Sequence, residues 1–198
     1  MAEQPKEQEE LKVEQEVTRF VSREGVEAAL NQKRTLARAD LSELELAEMT
    51  LAALDAEAAN FRGADLSNST LAMINLENAD FTQAEMSGVQ IAAANLENVS
   101  FKDARLRGAR FSASNVEGCD FTGSDLSETT WIGVNVEGAN FTDARTTGAR
   151  SAAVSWSSAD VPPAETPESI APPPWLPAAI AGLVALVVAI IILARRRR

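Results

Sequence analysis

Every fifth residue from Leu41 to Phe141 is apolar. The series runs Leu41, Leu46, Leu51, Ala56, Phe61, Leu66, Leu71, Leu76, Phe81, Met86, Ile91, Leu96, Phe101, Leu106, Phe111, Val116, Phe121, Leu126, Trp131, Val136, Phe141. With 45% of the chain hydrophobic, chance would produce such a run on the order of once in ten million chains. Neither the 3.6-residue period of a helix nor the two-residue period of a strand fits it. The pattern instead predicts a chain that turns one corner per repeat. Each repeat sends inward a large side chain and, two residues earlier, a small one such as Ala39, Ala64, Ala84, Ala104, Cys119 or Ser124. The residue between them is polar, as in Asp40, Asn60, Asp80, Asp120 and Asn140. Eight of the ten glycines fall two residues after the apolar centre, the phase expected of a corner that a side chain would crowd.

The stretches Ala39-Asp40-Leu41-Ser42-Glu43, Ala64-Asp65-Leu66-Ser67-Asn68 and Ala94-Asn95-Leu96-Glu97-Asn98 resemble the A-(D/N)-L-x-x units of the pentapeptide repeat family. The resemblance covers roughly residues 37–161 and implies an all-β solenoid, a right-handed quadrilateral β-helix. Phe61, Phe81, Phe101, Phe121 and Phe141 recur every twenty residues, which makes four repeats per coil and about six coils. The expected core is that phenylalanine ladder with Leu66, Leu76, Leu96, Leu126 and Trp131. At about 4.8 Å between neighbouring strands, the tower would stand roughly 30 Å tall.

A solenoid is weakest at its two open ends. A helical cap is expected before the first repeat, with Val13, Val17, Phe20 and Val21 on one helical face and a second short helix, capped by Ser22, carrying Val26, Ala29 and Leu30. At the other end Thr146 and Ser151 interrupt the apolar centres. Trp156 and Val161 are expected to restore the register, with Trp156 plugging the last coil.

The predicted organisation is therefore a polar N-terminus and cap over residues 1–36, the repeats over 37–161, a proline-rich extended linker over 162–174, a membrane span over 175–194 and an arginine tail over 195–198. Twenty residues cross about 30 Å as a helix, enough for a bilayer core. Trp175 suits one interface, Leu183, Leu186, Ile190, Ile191 and Ile192 suit the interior, and Arg195, Arg196, Arg197 and Arg198 suit the far side. Residues 1–16 are polar and glutamate-rich, unlike a secretory leader. The expectation is a single-pass C-terminal anchor with the repeats in the cytoplasm. Ala181, Ala185 and Ala189 would allow two spans to pack as a homodimer.

Charge and chemistry narrow the function. A net charge of −11 opposes direct nucleic-acid binding and favours a partner with a basic surface. The chain has no His and one Cys, Cys119, at a small inward position, so nucleophilic and zinc sites lack their usual residues. No catalytic, cofactor or metal site is expected, and no enzyme. The leading expectation is a membrane-anchored scaffold offering a rigid acidic β-helix, with an exposed cluster at Arg105, Arg107 and Arg110, to a protein partner. The family resemblance implies an alternative, a DNA mimic that modulates a type II topoisomerase. A further resemblance, over residues 23–46, is to repeat proteins associated with bacterial secretion systems.

Overall fold

The computed structural model describes residues 17–32 and 35–170. From residue 36 the chain winds as a four-sided tower in which each coil lies twenty residues after the one below. One side is a seven-stranded, all-parallel sheet of β1 (Thr50–Ala52), β2 (Thr70–Ala72), β3 (Gln90–Ala92), β4 (Arg110–Ser112), β5 (Thr130–Ile132), β6 (Arg150–Ala152) and β7 (Glu168–Ser169), in sequence order. The other three sides pair through single bridges with the same offset, such as Asp40↔Asn60↔Asp80, Glu45↔Asp65↔Glu85 and Asn75↔Asn95↔Asn115.

The five-residue period follows from the hydrogen bonds. Each centre donates its N–H to the coil above (Phe81 N–H to Ser100 O, 2.8 Å), while the residue before it donates to the coil below (Asp80 N–H to Ala59 O, 3.0 Å). Many repeats are closed by a four-residue turn, as from Ala64 N–H to Phe61 O at 3.0 Å. Every fifth residue from Arg38 to Ala153 has a positive φ, between 50° and 72°, and eight of these are Gly. The other sixteen are not. The corner therefore demands left-handed backbone without demanding glycine, and bonds such as Asp103 N–H to Thr122 O (3.0 Å) offset a strain of about 1–2 kcal/mol per non-glycine residue.

Inside, the expected core residues are buried to 1% exposure or less. Phe61, Phe81, Phe101, Phe121 and Phe141 stack with ring centroids 4.6–5.3 Å apart. Phe111 and Trp131 form a second, shorter stack at 4.1 Å, set edge-on against the first (Phe121–Trp131, 5.7 Å and 77°). The small inward phase also accepts larger residues: Met49, Ile74, Val89, Val99 and Val134 fill it and are buried.

The ends differ from the expected caps. Ser22 does cap a helix, α1 (Arg23–Asn31), by accepting from Gly25 N–H at 3.3 Å, and Val26 and Ala29 are buried. The residues before it are extended rather than helical. Phe20 N–H donates to Asp40 O and Asp40 N–H to Thr18 O, each at 2.9 Å, so this segment forms a partial coil beneath the first repeat. Val17 and Val21 are accordingly exposed, at 59% and 84%, because an extended chain on a coil's edge spends its backbone on pairing and cannot collect those side chains on one helical face. Val13 lies outside the described residues.

At the far end Trp156, in a 3-10 turn (Trp156–Ser158), meets Trp131 and Phe141 edge-on at 5.4 and 5.6 Å, the expected plug. Val161 bridges Asn140 rather than Phe141 and is 41% exposed; one extra residue in this coil carries its side chain out of the core register. Residues 162–170, read from the prolines as the start of an extended linker, fold back onto the tower. Pro163 and Pro167 are buried, and β7 pairs with β6 through Glu168 N–H to Ala149 O (2.9 Å) and Ile170 N–H to Ser151 O (2.8 Å).

Candidate interaction surfaces

Four columns of inward centres define four faces, named here for what they hold. The phenylalanine face carries centres 41 to 141, the leucine face 46 to 146, the strand face 51 to 151 and the glutamate face 56 to 136. Outward side chains repeat at the coil spacing of about 4.8 Å, so any charge in the repeat becomes a column.

The glutamate face shows this most clearly. Glu57, Glu77, Glu97, Glu117 and Glu137 hold one position in five successive coils. Beside them amide side chains donate to the coil below: Asn75 Nδ2 donates to Asp55 Oδ1 (3.0 Å), Asn95 Nδ2 to Asn75 Oδ1 (2.7 Å) and Asn135 Nδ2 to Asn115 Oδ1 (2.9 Å). This ladder breaks between Asn95 and Asn115, where Asn95 Oδ1 is buried without a partner.

On the phenylalanine and leucine faces, where an Asp, Asn or Glu precedes the centre it commonly accepts bonds from the residue two later, as at Asp40, Asp65, Asp80, Glu85, Asp120 and Asp125. Asp40 lies below the usual carboxylate range because the Ser42 hydroxyl (2.7 Å) and N–H (3.1 Å) donate to it, helped by Arg19 and Asn60. At Asp120 and Asp125 partial burial acts to raise the carboxyl. The hydroxyls and N–H groups of Thr122 and Ser127, with Lys102 and Arg145 nearby, outweigh it and bring both below the usual range. These bonds join neighbours two residues apart, so they shape the repeat rather than build a reactive centre.

The carboxylates are divided unevenly. Asp40, Glu43, Asp80, Asp103, Asp120 and Asp143 belong to the phenylalanine face, and Glu45, Glu48, Asp65, Glu85, Asp125 and Glu128 to the leucine face. Asp55 and the five stacked glutamates belong to the glutamate face. The strand face has one, Glu168, exposed in β7 and in register with Arg150.

The expected arginine cluster is split between two faces. Arg105 reaches Glu85 at 3.5 Å and Arg107 reaches Glu128 at 2.7 Å, both on the leucine face. Arg110 lies round the corner on the strand face in β4. Cys119 is fully buried, its thiol donating to Leu96 O at 2.9 Å, and burial pushes that thiol far above its ordinary range. Grooves of about 540 and 420 Å³ lie where α1 meets the first coil, around Leu30, Thr50 and Glu48. Among the described residues no cluster of His, Cys, Asp and Glu is arranged to hold a metal ion. Trp175, Leu183, Leu186, Ile190 to Ile192 and Arg195 to Arg198, the expected anchor, lie outside the described residues.

Residues 55–131 match the family described as pentapeptide repeat region, and residues 119–150 match pentapeptide repeats in eight copies. No curated protein matches the chain. Among solved structures the chain resembles QnrB1, a plasmid-mediated fluoroquinolone resistance protein, at 22% identity over 62% of this chain and 65% of that one (TM-score 0.43). HetL, involved in heterocyst differentiation regulation in the cyanobacterium Nostoc sp. strain PCC 7120, shares 22% identity over 68% of this chain and 62% of its own (TM-score 0.43). A pentapeptide repeat protein of the Arabidopsis thaliana thylakoid lumen shares 25% over 59% and 70% (TM-score 0.21). The chain spans less than two thirds of the length of the first two. Residues 55–150 are therefore pentapeptide repeats, and in this structure they wind as an all-parallel β solenoid.

Proposed function

We propose that this chain is a non-catalytic interaction scaffold, held at a membrane by its C-terminal segment, which offers columns of carboxylates to a protein with a basic surface. The observation that carries this reading is the rigid spacing of eighteen carboxylates in three sets of six on the phenylalanine, leucine and glutamate faces. A fixed row of like charges attracts a complementary cationic surface and speeds encounter, an effect that salt weakens. The repeat supplies no His, and its Cys is buried, which favours binding over catalysis.

The anchor rests on the sequence of residues 175–198. Among the described residues no helix is long and apolar enough to cross a membrane. Ile170 leaves the tower directly after β7, five residues before Trp175. Five extended residues reach at most about 17 Å, so the last coil would sit close to the bilayer and the first coil would point away from it. Fractionation of cells expressing the full chain with an N-terminal tag, followed by protease treatment of spheroplasts, tests the reading. Tag and repeats protected in the membrane fraction are expected. Recovery of intact chain in the soluble fraction overturns the anchor, and digestion in spheroplasts overturns the cytoplasmic placement.

The same carboxylate columns favour a second reading, imitation of the phosphate rows of duplex DNA towards a type II topoisomerase. Its test is a supercoiling assay with the full chain. Inhibition or protection that disappears at high salt supports it, and no effect at micromolar chain removes it.

A further inference from the structure

Three of the four lower edges of the first coil are covered. Beneath the phenylalanine face Thr18 and Phe20 pair with Asp40. On the glutamate face Leu36 N–H donates to Asp55 O (2.8 Å) and Arg38 N–H to Glu57 O (2.7 Å). On the leucine face a side chain of α1 substitutes for a coil, Arg23 Nη1 donating to Ala47 O at 2.7 Å. The strand face is the exception. Higher strands donate downward, Thr70 N–H to Met49 O (2.8 Å) and Gln90 N–H to Ser69 O (2.9 Å). Thr50 and Ala52 of β1, the terminal strand of the sheet, have no main-chain partner on their lower side among the described residues. Both are exposed and line the groove of about 540 Å³; half-buried Leu30 of α1 and Leu54 form its apolar walls.

We propose that this edge is a docking site for an extended, basic segment of a partner protein, which adds a strand beneath β1. The edge selects an extended chain. It offers N–H and C=O groups at strand spacing, which a helix, its own main-chain groups already bonded to one another, would leave unmet.

Charge selects the partner. Glu27 and Glu48 border the grooves at one end and Asp55 at the other, and Arg23 beside them is already paired with Glu27 at 2.8 Å. Residues 1–16 of this chain carry six Glu against two Lys, so like charge disfavours them as the occupant. Three strand residues span about 10 Å. The matching segment therefore has an apolar centre of about three residues with Lys or Arg at both ends. The site deepens the scaffold reading and rests on it only in taking the partner to be a protein.

Fluorescence anisotropy of a labelled, end-blocked Lys-Val-Ile-Val-Lys peptide with the full chain tests the site. Saturable binding is expected below about millimolar chain. Alternate N–H groups of an extended peptide face opposite sides. N-methylation at its second and fourth residues, or at its third alone, therefore gives two forms of which only one should lose binding, by about tenfold or more. Thr50→Pro removes a donor from the edge and Glu48→Lys reverses a bordering charge. Each is expected to weaken binding roughly fivefold or more, with an unchanged thermal midpoint. Glu137→Lys, at an exposed carboxylate several coils higher, is expected to leave binding unchanged. If it weakens binding as much as Glu48→Lys, the carboxylate columns hold the peptide; that overturns the edge site and leaves the scaffold reading standing. No saturable binding, or equal behaviour of the two methylated forms, also overturns the proposal.

Discussion

Trp156 donates its indole N–H to the hydroxyl of Ser151 at 3.1 Å, and Ser151 occupies an inward centre where lower coils place Leu, Ile, Phe and Trp. The polar interruption of the repeat is thus the docking point of the closing segment. Thr146 behaves alike, its hydroxyl donating to Glu165 O at 2.6 Å while the residue is 6% exposed. Two hydroxyls that break the pattern hold the lid on it.

Restoring the repeat at this point should weaken the protein. Ser151→Leu removes the acceptor of the Trp156 indole and crowds a centre that is 4% exposed, and is expected to lower stability by about 1–3 kcal/mol despite matching the consensus. Trp156→Ala, which strips two edge-on ring contacts, is expected to lower it by about 2 kcal/mol. Urea unfolding with equal m-values would measure both; a stabilising Ser151→Leu would show that the cap does not depend on this bond.

Ladder position decides what a phenylalanine contributes. Phe101 stacks on Phe81 and Phe121 and meets Phe111 edge-on at 6.5 Å. Phe101→Ala is expected to destabilise by about 3–5 kcal/mol. Phe61 has one ring neighbour, Phe81, so Phe61→Ala should be milder by about 1–2 kcal/mol, the worth of the missing ring pairs. The comparison is read from urea midpoints, and equal losses would argue against stacking as the source.

Glycine corners are not alike. At Gly108 (φ +69°) a Cβ would meet nothing within 4 Å, whereas at Gly118 (φ +65°) it would lie 2.5 Å from Asn98 Oδ1. Gly108→Ala should cost only the left-handed backbone term of about 1–2 kcal/mol. Gly118→Ala should cost more, and Asn98→Ala in the same chain should recover the difference. Thermal melts of the three variants check this.

Acid should loosen the tower through its low carboxyls. Asp40, Asp120 and Asp125 have folded pKa values below their unfolded ones, so the unfolded chain binds more protons as pH drops. Their contribution is complete above the unfolded value, near 4, and is lost as pH falls through the folded values. The urea midpoint should therefore drop below pH 4, and Asp120→Asn with Asp125→Asn should flatten that slope. An unchanged slope would place the acid response on other groups.

The tower itself could be read from the chain because its physics is local and repeated. One apolar centre per five residues and one Phe per twenty state the corner, the coil and the core at once, and each of Phe61 to Phe141 lies where that period places it. The carboxylate columns were equally implicit, since residues twenty apart must stack. The split of Arg105 and Arg107 from Arg110 also follows from the coil, although proximity in sequence suggests a single cluster.

The ends were decided only by tertiary structure. Val17, Phe20 and Val21 have the apolar spacing of a helix, yet the open edge of the first coil offers the backbone groups of Asp40, and pairing with them outweighs a helical face exposed to water. Pro163 and Pro167 suggest an extended spacer, yet the last coil leaves Ser151, Thr146 and the edge of β6 to be satisfied, and residues 162–170 return to do so. A repeat specifies its own neighbours through its period; a cap has no period, and its conformation is set by whatever groups the terminal coil leaves unpaired.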